Sequence, residues 1–296
     1  SVDNNGDWLH ANAIHYNPEL DQIMLSLHRL GEIWIIDHNT TTTQAAGPAG
    51  DLLYRWGNPQ VYNRDADDSH RTFFGQHDAR WIQNGQPGHG NIMVFNNGQN
   101  RPEGNYTTID EFTPPLLSDG TYQIGFNGMY GPEDVEIAYI ADPPSSFYAS
   151  FISGAERLAN GNTLICSGPW GDFFEVTPSG QSVWVYKNPV TSTGILSQGE
   201  LPDEQGTNST NNRTFRCSHY ASDFVGFEGK DMTPSLPIET YMGACLADLD
   251  GDDGIGVNDL LHLLNAWGTG AGDIQGDGKT NVDDILLIIG GWGSCL

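Results

Sequence analysis

The chain has 296 residues, 38% of them hydrophobic and 10% aromatic, enough for one large globular domain or two and inconsistent with a disordered chain. Its formal net charge of −26 argues against nucleic acid and anionic membranes as partners and suits a saline environment or cation binding. The absence of an 18-residue apolar run argues against a transmembrane helix, and no signal peptide is evident.

The first unit starts at His10-Ala-Asn12, two polar side chains leading into a short strand. Two apolar runs follow, Gln22–Leu27 and Glu32–Asp37, too short for helices and separated by the turn His28-Arg-Leu-Gly31. After a Thr/Gly/Ala loop comes a strand at Leu52–Trp56. A second unit opens at Gly75-Gln-His-Asp-Ala-Arg-Trp-Ile82 and continues through Asn91–Phe95, the turn Asn96-Asn-Gly98 and a strand near Tyr106–Phe112. The third runs from Ser153–Leu158 through Asn162–Cys166 and Asp172–Val176 to Ser182–Tyr186.

Recurring units of short strands, about 45–75 residues each, predict β-propeller blades, with a β-sandwich as the alternative. Three units and a partial fourth near Thr214–Cys217 are fewer than the four to eight blades of known propellers. The expectation is therefore that N-terminal blades are missing from this chain, supplied by a longer precursor, an associated fragment or self-association. Residues 1–232 form the propeller blades on this reading, and 233–244 a Pro-containing linker. The four cysteines are compatible with two disulfides, with Cys245 and Cys295 close enough around the final segment to suggest a clasp. Four Asn-x-Thr matches, at Asn39, Asn105, Asn208 and Asn212, are as many as chance produces in so Asn/Thr-rich a chain.

Residues 245–296 hold a duplicated loop, DLDGDDGIGVND at 248–259 and DIQGDGKTNVDD at 273–284, each followed by an apolar helix-like run and Trp-Gly. Calcium takes six to eight oxygens, and this spacing aims alternate side chains at one centre. The predicted ligands are Asp248, Asp250, Asp252, Asp259 and the Gly254 carbonyl in the first loop. In the second they are Asp273, Gln275, Asp277, Asp284 and the Lys279 carbonyl. Two calcium ions are the expected cofactors, the first site being tighter unless Asp253, where a sharp turn favours Gly, strains it. The duplication resembles type I dockerins and the dockerin-like tails of secreted proteins. That resemblance, over Cys245–Cys295, implies calcium-dependent folding, an attachment or sorting role, and a cohesin-like or cell-surface partner.

Two histidines stand where propeller strands line a central channel: His10 in HANAI and His77 in GQHDA, with Asn12, Asp78 and Arg80 nearby. Histidine suits nucleophilic or acid–base work near neutral pH, although satisfied polar residues plugging a channel would give the same pattern. DWLHANAI with DQIMLSLHRLGEIWIIDH, GQHDARWI with NIMVFNNG, and GAERLANGNTLI with FFEVTPSGQSVWVY together resemble the arylsulfotransferase family. The resemblance covers roughly residues 7–240. It implies a six-bladed propeller that moves sulfuryl groups from a phenolic sulfate ester to a phenol acceptor without a nucleotide donor. On that resemblance His77 matches the transiently sulfurylated nucleophile. His10 matches a channel histidine stabilising the sulfuryl oxygens, with Asn12 beside it. The family's channel Arg follows a Ser-Ser pair, a slot that here reads Ser26-Leu-His28-Arg29. Either His28 replaces the Arg, or Arg29 reaches round a bulge. A further family histidine falls upstream of residue 1. The resulting expectation is an exported arylsulfotransferase-like protein, extracellular, surface-bound or periplasmic. The alternative is a non-catalytic binding or structural propeller; a quinone-dependent dehydrogenase propeller fits less well, for want of its repeated tryptophan motifs.

Overall fold

A computed structural model describes residues 6–65, 69–192, 194–197, 199–200, 202, 212–234, 238, 247–252, 254–275 and 278–294. The protein is mostly β, with few helices, and divides into two compact units, one of Ser1–Asn188 with Asn211–Val225 and one of Pro189–Thr210 with Gly226–Leu296.

The described residues of the first unit form three four-stranded antiparallel meanders, the layout of propeller blades. The first sheet orders β1 (Ala11–Asn17), β2 (Gln22–Leu27), β3 (Glu32–Asp37) and β4 (Tyr54–Trp56), with a four-residue helix α1 (Thr42–Ala45) in the loop before β4. The second orders β5 (His77–Trp81), β6 (Ile92–Asn96), β7 (Thr108–Phe112) and β8 (Glu136–Ile140). The third is formed by β9 (Gly154–Arg157), β10 (Thr163–Ser167), β11 (Asp172–Val176) and β12 (Ser182–Lys187).

The sheets pack face to face through alternate side chains. On one face of the second sheet Ala79, Trp81, Ile92, Val94 and Phe112 meet Met24, Ile33, Ile35, Tyr54 and Trp56 of the first. On its other face Ile82, Met93, Phe95 and Ile109 meet Ala155, Ile165 and Val176 of the third. This explains why β6 reads as an unbroken apolar run: it is buried on both sides. Each Val, Ile, Met or Phe among them contributes about 1.5–3 kcal/mol on burial.

One strand went unread in the sequence, and the partial fourth blade needs correction. The fourth strand of the second sheet, β8, lies beyond a long insertion (113–135) that hides its relation to β7. Thr214–Cys217 forms no strand and starts no fourth blade. It lies against the third sheet, with Thr214 N–H donating to Gly168 O (2.9 Å) and Ser153 N–H to Phe215 O (2.9 Å). Among the described residues no disulfide is formed, and Cys166 and Cys217 are free thiols. Cys245, Cys295, Asp253, Asp277, the Asn208 glycosylation motif and most of the 233–244 linker lie outside the described residues.

In the second unit, β13 (Val190–Thr191) pairs with β14 (Gly194–Ile195). The loop strand β15 (Gly254–Ile255) precedes α2 (Val257–Asn265) and pairs with β16 (Gly293–Ser294), which follows α3 (Val282–Gly290). Twenty-five positions on, Thr280 exchanges backbone hydrogen bonds with Gly268 and Thr269 after α2. Each loop is thus bound to the segment following the other helix. Leu263 and Ile288, equivalent in the two repeats, are fully buried between the helices. No helix among the described residues is long and apolar enough to cross a membrane.

Candidate functional site

His77 opens β5 on a stretch fixed from several sides. The Gln76 side-chain amide donates to Leu27 O (3.1 Å) and Glu32 O (3.0 Å), while Asn12 Nδ2 donates to the Gln76 carbonyl (2.7 Å). The next residue, Asp78, is left-handed (φ 51°), and a bulge separates His77 from Arg80 in the ladder. The result turns the imidazole inward, where it is 4% exposed.

The hydrogen bonds assign its tautomer. Nδ1 lies 2.8 Å from Asn97 Oδ1 and 3.1 Å from the Gly75 carbonyl. The Asn97 amide is held that way round because its Nδ2 donates to Ala149 O (2.7 Å) and Ile152 O (3.1 Å). Facing two acceptors, Nδ1 must carry the proton, and Nε2 keeps its lone pair. Burial depresses the His77 pKa, outweighing the support of Asn97 and Gly75 for the charged form, so the ring is neutral at pH 7.

His28 stands between the other two sequence-predicted histidines. Its ring is edge-on to His10 at 5.1 Å and to His77 at 5.3 Å, centroid to centroid. Burial, then the neighbouring His77, His10 and Arg29, push its pKa down to about 4, and its Nδ1 is buried without a hydrogen-bond partner. His10 is exposed and left-handed (φ 48°), with Nδ1 2.5 Å from Asp7 Oδ2. Arg29 is also exposed, with Nη2 3.9 Å from the same Asp7 oxygen. Between His10 and His77, therefore, the slot holds the imidazole of His28, and Arg29 turns towards Asp7.

Asn12 is nearly buried, with its Oδ1 unpartnered. A charge network lies beside it. Buried Asp78 accepts from Arg80 Nη2 (2.8 and 3.0 Å) and from Arg216 Nη1 (2.9 Å). Arg80 also pairs with Glu156 (3.2 Å), and Arg216 Nη2 donates to Asn12 O (2.8 Å). Gly154 admits this arrangement by leaving space: a Cβ there would stand 2.2 Å from Asp78 Oδ2. Phe215, next to Arg216, has its ring 6.5 Å from that of His77. Sequence reasoning missed Arg216 and Asn97. Asn97 reads as an ordinary turn former, and Arg216 arrives from a segment without periodicity, 138 residues from Asp78. The only sequence signal for either was its polarity beside a strand end.

In the second unit, Asp248, Asp250 and Asp252 present ligand atoms all within 4.8 Å of one another. Gly251 N–H and Asp252 N–H donate to Asp248 Oδ1, and Gly254 N–H to Asp252 Oδ1. Asp259 is buried at the end of that loop and accepts from Leu249 (2.6 Å), Asp250 (3.2 Å) and Gly256 (2.6 Å) N–H groups. Asp284 repeats this with Ile274 (2.8 Å), Gln275 (3.2 Å) and Asn281 (2.8 Å). Burial opposes charge on both carboxylates, but the N–H groups prevail and hold them below the usual carboxylate range. In the second loop Gly278 N–H donates to Asp273 Oδ2 (2.6 Å). Lys279 lies beside Asn281, which donates to its carbonyl (3.3 Å).

Solved structures similar to the chain include a protein of unknown function from Bacteroides caccae (14% identity, TM-score 0.31, covering 60% of this chain and 45% of that one). Others are a β-propeller domain from Myceliophteria thermophila (14%, 0.29, 60% and 41%) and virginiamycin B lyase from Staphylococcus aureus (14%, 0.30, 65% and 60%). The chain spans about half the length of the solved structures it matches. No curated protein matches it. The family model described as Arylsulfotransferase (ASST) matches residues 1–193, well over half of the sequence and all three of its blade-like sheets. The chain belongs to the arylsulfotransferase family.

Proposed function

We propose that this protein transfers sulfuryl groups between phenols through a sulfohistidine on His77. The observation that carries the reading is the buried, neutral imidazole whose Nδ1–H is engaged by Asn97 and Gly75, leaving the Nε2 lone pair as a nucleophile. In the first half-reaction Nε2 attacks the sulfur of a phenolic sulfate ester. The N–S bond forms, the S–O bond to the ring breaks, and a phenolate leaves. The sulfurylated imidazole is cationic, and the two acceptors at Nδ1–H stabilise that charge. An acceptor phenol then attacks the sulfur: its O–S bond forms, the N–S bond breaks to restore the His77 lone pair, and its proton passes to solvent, which also protonates the departed phenolate. His28 supplies a ring N–H donor for the sulfuryl oxygens, where negative charge concentrates, and His10, paired with Asp7, stands edge-on to it. With its pKa near 4, His28 contributes a dipole at neutral pH rather than a charge.

A non-catalytic binding or structural propeller is the second reading, favoured by Arg29 turning to Asp7 instead of standing between the histidines. Incubation with p-nitrophenyl sulfate and a phenol separates the two. Nitrophenol release that disappears in His77→Ala, with a sulfurylated His77 peptide trapped when acceptor is omitted, supports transfer. No turnover, and no sulfurylated His77 peptide, supports the binding module.

The tail fits calcium. Three carboxylates whose oxygens lie within 4.8 Å repel one another until a cation joins them. Asp248, Asp250, Asp252, Asp259 and the Gly254 carbonyl would hold one ion. Asp273, Gln275, Asp277, Asp284 and the Lys279 carbonyl would hold the other. Calcium bound there would supply a cross-link that helps so small a core fold. On this reading residues 245–296 are a dockerin-like module that attaches an exported protein to a cohesin-like or cell-surface partner. Residues 1–232 are then blades of a six-bladed propeller.

A further inference from the structure

The mechanism uses neither free thiol of the first unit, yet the two face each other. Cys166 is buried on β10, Cys217 is half-buried on the segment 212–217, and their thiols share a hydrogen bond. Cys166 Sγ also lies 3.9 Å from the Thr214 carbonyl, so it sits beside the segment's backbone as well as its side chain. We propose that Cys166 and Cys217 are a disulfide-forming pair that fastens the segment carrying Arg216 to the third sheet.

The placement of both residues favours this pairing. A disulfide requires side chains that point at each other from backbones already close, because it stores strain otherwise. Here the segment's backbone is pinned two and three residues before Cys217, by Ser153 N–H to Phe215 O and Thr214 N–H to Gly168 O. Asn188 adds bonds to Asn212 O (3.2 Å) and Thr214 Oγ1 (3.1 Å). The approach is so close that a Cβ at Gly168 would stand 2.4 Å from Thr214 O. The segment that carries Cys217 is thus already held against the strand end that carries Cys166.

The two thiols differ in a way that orders the reaction. Cys217 opens onto a cavity of about 400 Å³ lined by residues including Phe173, Trp184 and Tyr220. Its pKa is lowered by the hydrogen bond from Cys166 and by Arg80, against the opposing effects of burial, Glu156 and Asp78. Cys166 is buried, and the hydrogen bond to Cys217 and burial both push its pKa up. With a small-molecule disulfide as oxidant, the Cys217 thiolate attacks one sulfur and expels one thiolate, forming a mixed disulfide. Cys166 then attacks the Cys217 sulfur. Its proton goes to the departing second thiolate, so the oxidant takes up the two electrons and leaves as two thiols. The consequence for the fold is that Arg216, held by Asp78 and the Asn12 carbonyl, is anchored covalently one residue away.

The test incubates the full chain, folded, in reduced or oxidised glutathione, then alkylates it under denaturing conditions for peptide mapping, with amide exchange measured on the folded protein. Oxidation is expected to protect both Cys166 and Cys217 from alkylation, to yield one cross-linked peptide pair lighter by two hydrogens, and to slow amide exchange over 212–217 by at least about tenfold. Cys166→Ser and Cys217→Ser should each leave no such cross-link. Should either variant fail to fold, reversal of the wild-type protection by dithiothreitol serves as the second measurement. Continued alkylation of both residues after oxidation, cross-links to Cys245 or Cys295 instead, or unchanged exchange over 212–217 would overturn the proposal. None of these readouts depends on sulfuryl transfer.

Discussion

Both units of this protein are built from repeats, but the repeats behave oppositely. In the second unit the two halves coincide almost residue for residue at an offset of 25: Asp259 and Asp284 accept the same three N–H groups, and Leu263 and Ile288 fill the same core. In the first unit the three sheets share strand order while the residues at their tips diverge. The first carries an exposed His10 paired with a carboxylate, the second a buried His77 paired with an amide, the third no histidine at Gly154–Arg157. Repeats that coincide suit a task performed twice, such as two cages for one kind of ion. Repeats that diverge allow a single asymmetric site, in which each blade donates a different group.

The sharpest way to break that contrast is at Asn97. Asn97→Leu removes the acceptor that fixes the proton on His77 Nδ1, so turnover of p-nitrophenyl sulfate should fall about 10–100-fold, the cost usual for losing a ligand's orienting partner. The same substitution strands the Ala149 and Ile152 carbonyls and should lower the melting temperature. Asp7→Ala, at the exposed histidine, should cost only a few-fold in rate, because a solvent-exposed pair contributes little. Initial rates for the two variants side by side decide the matter; equal losses would mean that burial does not distinguish the histidines.

The next effect is on stability in the symmetric unit. Asp259→Asn and Asp284→Asn each leave backbone N–H groups without an acceptor, a loss of about 1–2 kcal/mol apiece without calcium. The two losses should match, as read by thermal melts in chelator. Both carboxylates have folded pKa values below the ordinary 3.8, so their contribution is complete above that pH and disappears as pH falls through the lower folded value. A several-fold mismatch between the variants would show that the repeats coincide in backbone only.

Much of this was readable from sequence, for reasons that also explain the failures. Alternating and continuous apolar runs exposed β2, β3, β6, β10 and β11, and a 25-residue echo exposed both loops. The exposed strand β8 escaped, because the insertion 113–135 separates it from its neighbour and its pattern carries little burial signal. The sequence left His28 and Arg29 as alternatives, since the direction in which a turn residue points depends on backbone twist and not on residue type. Asn97 and Arg216 escaped for a different reason: their partners are set by which loops the blades bring together.

Acid titration sharpens the asymmetric unit further. His28 and His15, the latter on β1, both have folded pKa values near 4, lowered first by burial and then by His77, His10 and Arg29 for His28 and by Arg80 for His15, against an unfolded value of 6.5. Between those values the unfolded chain binds more protons than the folded one, so stability is complete above pH 6.5 and declines as pH falls towards 4. Urea midpoints measured across that window should drop steadily, and His28→Gln should flatten the slope. An unchanged slope would mean that His28 charges freely in the folded protein, and is therefore a cation at the site instead of a dipole.

The smallest expected difference lies inside the symmetric unit, where the repeats depart from each other. The first loop gathers Asp248, Asp250 and Asp252, while the second places Gln275 at the position of Asp250. Calcium affinity rises with ligand charge, so the first site should be the tighter and Asp248→Ala should cost several-fold more affinity than Asp273→Ala. The opposing influence is the sixth loop position, which is Gly278 at φ 89° in the second loop and Asp253 in the first. An aspartate forced into that left-handed conformation would spend part of the charge advantage on strain. Calcium titration of both variants weighs one effect against the other. Equal losses would show that the strain at Asp253 cancels the extra carboxylate; a larger loss in Asp273→Ala would show that backbone freedom, not charge, ranks the two sites.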